Sequence, residues 1–245
     1  MRNAMNQKQM MSRMVVVLAA GLVSFAASAD EGVIRAKVSY GLANYTAPSL
    51  SGNTTSTYPT LGLGVTYIFP TNIFADFSIK TSTSGASYNA SNLTGGVVSS
   101  DQSFKRMENT LTIGKPLENG MQGNVGLFTA DTQFDLGSFG QSSQKMMGVT
   151  SGVGKGLAID EGRSGTIGLN GAVALLKATN TTYTGKSSDS NLAYGFSAGA
   201  SYNYMFNKMI TFSADAKFQT YFISYSGFSG DERIISTSAS VIGQF

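Results

Sequence analysis

The sequence predicts an all-β fold: a closed, antiparallel, up-and-down transmembrane β-barrel of ten strands, with eight as the alternative count. Three observations predict it. Period-two alternation recurs along the chain, the connections between alternating segments are short and long by turns, and the N-terminal segment has the make-up of an export signal. After that segment no apolar run reaches the roughly 20 residues a spanning helix requires, so strands would have to make the crossing.

Residues 1–29 read as a cleaved signal peptide and residues 30–245 as one barrel domain. Arg2, Lys8 and Arg13 form a basic start, Met14 to Ala27 is an apolar run of about fourteen residues, and Ala27-Ser28-Ala29 supplies small residues ahead of cleavage between Ala29 and Asp30. The same three cations are the whole charge excess. Seventeen Lys+Arg less those three leave fourteen, equal to the fourteen Asp+Glu, so the barrel domain is neutral and offers no basic surface for nucleic acid.

The expected strands are, in order, Val33–Tyr45, Tyr58–Phe69, Ile73–Thr83, Gln102–Lys115, Met121–Thr132, Lys145–Ile159, Gly165–Ala178, Leu192–Phe206, Met209–Ser224 and Glu232–Phe245. The eighth and ninth alternate most clearly. Leu192, Tyr194, Phe196, Ala198, Ala200, Tyr202, Tyr204 and Phe206 share one face; after the turn Asn207-Lys208, so do Ile210, Phe212, Ala214, Ala216, Phe218, Thr220 and Phe222. Met121–Thr132 is the least regular, which is why eight strands stay open. Short turns are expected at Pro70–Asn72, Pro116–Gly120, Asp160–Ser164 and Asn207-Lys208. Longer polar loops are expected at Thr46–Thr57, Ser84–Asp101, Gln133–Gln144 and Thr179–Asn191, with a shorter one at Tyr225–Asp231. Short turns on one side and longer loops on the other are the pattern of membrane barrels, whose termini lie on the short-turn side.

Parity then sorts side chains. Arg35, Lys37, Asp76, Lys80, Arg106, Glu108, Asp215 and Lys217 would face the lumen, either as a pairing network that fills it or as the polar constriction of a channel. Tyr40, Tyr67, Phe69, Tyr194, Tyr204, Phe206, Phe212, Phe218, Phe222 and Phe245 would form aromatic girdles on the lipid face. Inward glycines (Gly62, Gly64, Gly148, Gly152, Gly154, Gly195 and Gly199) would either leave a void or relieve crowding. The pairs Asp160-Glu161 and Asp231-Glu232 read as solvated turn residues. Gly152-Val153-Gly154-Lys155-Gly156 lacks the spacing of a phosphate loop and reads as a glycine-relieved strand.

The chain contains no Cys and no His. Disulfide staples, thiolate or imidazole metal ligands, cysteine nucleophiles and histidine bases are all excluded, and no catalytic, metal-binding or cofactor-binding residue is assigned.

The last strand resembles the C-terminal assembly signal of bacterial outer-membrane β-barrel proteins. Ile235, Thr237, Ala239, Val241, Gly243 and Phe245 alternate with Ile234, Ser236, Ser238, Ser240, Ile242 and Gln244, and the chain ends on an aromatic; Gly243 stands where that family usually carries a bulky residue. The resemblance implies an outer-membrane location, lipid and lipopolysaccharide as surroundings, and delivery by the barrel-assembly machinery through that strand. It also implies a non-enzymatic role, since barrel hydrolases of this kind rely on histidine. The expected function is a monomeric, surface-exposed structural or interaction protein with a largely side-chain-filled lumen. Its polar loops, notably Ser49–Thr57 and Ser82–Ser100, would meet an extracellular ligand, a host surface or phage. The alternative is a narrow, porin-like channel for passive diffusion of small solutes or ions.

Overall fold

The computed structural model describes residues 32–49, 52–83, 86–89, 101–137, 140–159, 164–182, 184–225 and 228–245. The expected signal peptide and its cleavage between Ala29 and Asp30 lie outside the described residues. Twelve β-segments follow in sequence: β1 (Val33–Ser49), β2 (Gly52–Ile68), β3 (Phe74–Ser82), β4 (Ala86–Asn89), β5 (Asp101–Pro116), β6 (Met121–Asp135), β7 (Gln141–Ala158), β8 (Gly165–Thr181), β9 (Ser187–Asp189), β10 (Leu192–Met205), β11 (Ile210–Tyr225) and β12 (Phe228–Gln244).

These make ten barrel strands. β3 and β4 both pair antiparallel with β5, from Thr81↔Met107 to Ala86↔Phe104, so together they make one interrupted strand. β9 and β10 both pair with β8, from Thr179↔Asp189 to Ala193↔Leu176, and are likewise one interrupted strand. All pairings join sequence neighbours except one. β1 pairs with β12 from Arg35↔Gln244 to Thr46↔Arg233, and the Ile34 and Phe245 backbones exchange two further hydrogen bonds. The sheet therefore closes into an antiparallel ten-stranded barrel with no free edge.

At one end lie both chain ends of the barrel and the short turns. The Phe69 N–H donates to the Ile73 carbonyl, Leu117 to Met121, Ile159 to Gly165 and Phe206 to Ile210. Asn207 caps its turn by accepting two backbone N–H groups, Met209 and Ile210, each at 2.8 Å. This is the inner, periplasmic end of an outer-membrane barrel.

At the other end the strands run further than expected. β1 and β2 stay paired to Ser49↔Gly52, β6 and β7 to Asp135↔Gln141, and β11 and β12 to Tyr225↔Phe228. Three expected loops are thus short turns between protruding hairpins, and a fourth, Thr179–Asn191, holds the end of β8 and the three residues of β9. The expected loop at Ser84–Asp101 holds β4, and its residues 90–100 lie outside the described set. The reason is chemical. Above the lipid, both faces of a strand are polar, so the apolar alternation that marks a strand in the sequence stops while backbone pairing continues. β1 and β2 have 17 residues each, whereas about 9–11 cross a bilayer, leaving roughly 20 Å of hairpin beyond it.

The outward face fits lipid. Val38, Leu42, Leu111, Ile113, Val125, Leu127, Val149, Leu169, Leu175, Ile235 and Val241 are all exposed on it. A belt of apolar side chains running round the barrel has no rationale in water and is what a bilayer requires.

The wall is tight where β7 meets β8, as it is where Gly41 of β1 meets β12. A Cβ added at Gly148 would lie 2.0 Å from the Leu175 carbonyl oxygen. Gly148→Ala is expected to force these strands apart and to destabilise the barrel by about 1–3 kcal/mol, read as a lowered urea midpoint in detergent micelles.

Candidate functional site

Inward side chains divide the lumen into two zones. The outer zone is packed. Tyr45, Tyr58, Tyr88, Phe104 and Phe134 converge from β1, β2, β4, β5 and β6, all of them buried. Phe104 lies at the centre, 5.0 Å from Tyr58, 5.4 Å from Tyr45 and 6.0 Å from Phe134 between ring centroids, and Tyr88 closes on Phe134 at 5.3 Å. The Tyr88 hydroxyl donates to the Asp135 carbonyl at 3.0 Å, and burial pushes this phenol up to about 12, so it stays neutral.

Beneath the rings sits an ionic knot. Arg106 is 2 % exposed and Glu232 is fully buried. One guanidinium nitrogen of Arg106, Nη1, lies 2.7 Å from Glu232 Oε1 and donates to Thr132 Oγ1 at 2.6 Å, while Nε donates to Glu108 Oε1 at 2.9 Å. The Tyr45 hydroxyl donates to Glu232 Oε2 at 3.1 Å, and its ring lies 5.4 Å from the guanidinium.

The inner zone is open. A cavity of about 550 Å³ extends from the turn residues Asn72 and Pro116 up to a stacked Phe128–Tyr221 pair, whose centroids are 5.6 Å apart. Arg35, Asp76 and Lys217 line it, with Gln122, Asn124, Asn170, Gln219 and several hydroxyl side chains. Two glycines keep it clear. A Cβ at Gly195 would lie 2.4 Å from the Tyr221 ring, and one at Gly199 would lie 2.7 Å from Asn170 Oδ1, so both side chains rest flat against the wall.

The eight lumen charges expected from sequence are placed as follows. Arg106 and Glu108 join the knot. Lys37 pairs with Asp215 at 3.1 Å, and Asp215 also accepts hydroxyls from Ser213 and Ser240. Asp76 accepts the Thr66 hydroxyl at 2.7 Å, and Arg35 Nε donates to Gln244 Oε1 at 2.9 Å. Neither Lys80 nor Lys217 makes a hydrogen bond or a salt bridge within 4.0 Å among the described residues, and the Glu108 carboxylate attracts both from a greater distance. Glu232 corrects the expectation of a solvated Asp231-Glu232 turn. Asp231 is bonded to Arg233 on the outer surface, but Glu232 shares the inward parity of Ile234 and Ser236 and is carried into the lumen. The converging aromatics were also missed. Tyr45 has the same parity as Arg35 and Lys37, and extending that parity above the apolar belt would have found it.

Of the residues expected as girdle, Tyr40, Phe69, Tyr204, Phe206, Phe212, Phe218, Phe222 and Phe245 are exposed and Tyr67 and Tyr194 half-exposed. Near the inner end Tyr67 meets Phe69 at 4.6 Å and Phe206 meets Phe212 at 6.1 Å. Nearer the outer end Tyr194 stacks on Phe222 at 5.1 Å. The Phe245 ring lies over Gly243, where an added Cβ would approach it to 3.3 Å. Above the belt, Lys177 pairs with Asp189 at 2.6 Å; hydrogen bonds from Lys177 and Thr179 hold that exposed carboxyl below the ordinary Asp range.

Among solved structures, the outer-membrane protease OmpT of Escherichia coli shares the fold at TM-score 0.57 and 9% identity, covering 87% of this chain and 97% of that one. Neisserial surface protein A aligns at TM-score 0.42 and 13% identity, over 86% and 97% of the two chains. The β domain of the Bordetella autotransporter BrkA aligns at TM-score 0.45 and 12% identity, over 88% and 100%. No family model matches the chain, and no curated protein matches it either. The fold is that of bacterial outer-membrane β-barrels, and the apolar belt agrees with that membrane.

Removing one partner from the ionic knot strands a buried charge. Glu232→Ala is expected to cost about 3–5 kcal/mol in unfolding experiments, whereas replacing the whole knot, Arg106→Met with Glu108→Gln and Glu232→Leu, should recover most of the loss.

Proposed function

We propose that this chain is a non-enzymatic, monomeric outer-membrane barrel that acts through its protruding outer hairpins, with the lumen shut at its outer end. The observation that carries this reading is the packed aromatic and ionic zone beneath those hairpins. Five rings and a guanidinium held by two carboxylates span the bore, leaving the outer mouth no continuous aqueous path. Such a barrel works as an anchor and platform. The hairpins, stiffened by backbone pairing well past the lipid, would present Ser-, Thr- and Asn-rich surfaces to an extracellular ligand, a host surface or phage. The absence of His and Cys from the whole chain supports a non-enzymatic role, and the likeness to OmpT extends to fold alone. Lipopolysaccharide around the hairpins and assembly through the β12 strand belong to the same proposal.

Single-channel recording tests the closed lumen. Wild-type protein in planar bilayers is expected to give no stable open level, and Phe104→Gly with Phe134→Gly to give one. A reproducible open level from the wild type would instead favour the narrow channel, the reading to which the inner cavity gives its support.

Depth-dependent quenching tests the girdles. Tryptophans at Phe206 and Phe222 should be quenched most by lipids brominated near the headgroup, on opposite sides of the bilayer. Strongest quenching of either from the bilayer centre would remove that residue from a girdle.

A further inference from the structure

The inner cavity has the properties of a binding site, and nothing in the closed-lumen reading calls for them. Its volume of about 550 Å³ falls within the range of about 300–1,000 Å³ typical of small-molecule pockets, and it is open towards the turn end. A cavity that only relieved crowding would be lined by small or apolar groups. This one carries, beside Phe74, Phe128 and several small apolar residues, a set of hydrogen-bonding groups that the protein leaves free. The side chains of Gln122, Asn124, Asn170, Thr112, Thr150 and Ser197 have no hydrogen-bonding partner among the described residues.

The charge balance gives the ligand its sign. Asp76 and Asp215 are both satisfied by hydroxyls, and Asp215 by Lys37 as well. Lys217 reaches the cavity from β11 and makes no hydrogen bond or salt bridge among the described residues, with the Glu108 carboxylate of the knot attracting it from a greater distance. Arg35 lines the inner mouth, its Nε held by Gln244. Arg35 and Lys217 against Asp76 leave the charged lining of the cavity net positive by one, and free amides and hydroxyls surround it. At the far end, the Phe128–Tyr221 pair offers an apolar surface, with the Tyr221 hydroxyl already held by Gln219 Nε2 at 2.7 Å.

We propose that this cavity binds a small hydroxylated organic anion, of the sugar-acid class, entering from the periplasmic side. Its carboxylate is held by the Lys217 ammonium, and its hydroxyls by the carboxamides of Asn124 and Asn170 and the neighbouring hydroxyl side chains. Lysine suits the role as a compact charge on a flexible stem, and it needs no preformed fork. Gly195 and Gly199 are part of the site, because they let Tyr221 and Asn170 line the wall without filling the space.

Isothermal titration of the mature barrel in detergent micelles at low ionic strength tests the proposal, with sodium gluconate as probe and glucose and sodium acetate as its neutral and hydroxyl-free counterparts. Saturable binding of one gluconate per barrel is expected, tighter than either counterpart. Lys217→Gln should weaken it by about tenfold or more, the loss expected when a charged hydrogen bond is removed. Asn170→Ala should weaken gluconate and glucose alike, and Lys105→Gln on the outer surface should change neither. Circular dichroism confirms that each variant is folded. No saturable gluconate binding, equal binding by folded Lys217→Gln and Asn170→Ala, or glucose or acetate binding as tightly as gluconate would each overturn the assignment. The bilayer recordings address the outer closure separately, so either idea can fail without the other.

Discussion

Closure of β12 onto β1 is the constraint on which the rest depends. A bilayer supplies no water to an unpaired peptide group, so every strand needs a neighbour on both sides, including the first and the last. The register Arg35↔Gln244 supplies that neighbour and at the same time fixes parity round the barrel. A slip of one residue would carry Lys37 into the lipid and Val38 into the lumen. Lumen chemistry is therefore inherited from a backbone pairing rather than assembled residue by residue.

Given that wall, side-chain size alone separates the two lumen zones. Ten strands enclose slightly more space than the eight whose interior side chains just fill. Where Tyr45, Tyr58, Tyr88, Phe104 and Phe134 point inward their rings pack into one buried cluster. Where the inward residues are Gly195, Ser197, Gly199 and short amides the bore stays open. β4 adds to the packed zone: Tyr88, on the inward parity of Asp76 and Lys80, meets Phe134, and the Ser56 hydroxyl bonds the Ser87 carbonyl.

The closed barrel was legible in the sequence, with ten strands expected and eight left open, because lipid enforces an alternation that composition can record. Leu192 to Phe222 shows this at full strength. What escaped notice lies above the lipid. There Thr46, Thr54 and Thr55 are as acceptable outward as inward, so the continuation of β1 and β2 to Ser49↔Gly52 leaves no mark in polarity. Glu232 escaped for the same reason, since an acidic pair beside a turn has the composition of a solvated one. Pair identities were also beyond parity. Lys37 meets Asp215 because β12, whose Ser240 also bonds that carboxylate, lies between β1 and β11, and that adjacency follows from closure rather than from any local pattern.

The lumen charges sort by their access to water. Arg106 lies in a packed region, where an ion without counter-ions would cost several kcal/mol, and it is matched by two carboxylates, a threonine hydroxyl and a tyrosine ring. Lys217 faces the open cavity and makes no hydrogen bond or salt bridge among the described residues, with Glu108 as the carboxylate that attracts it from a distance. Water in the cavity can hydrate it, so folding does not require a direct ion pair. A cation without a direct ion pair is one that a ligand can engage without first breaking a salt bridge. The dry knot, by contrast, holds its charges in direct contact, and its contribution is to fix the packing beneath the outer hairpins.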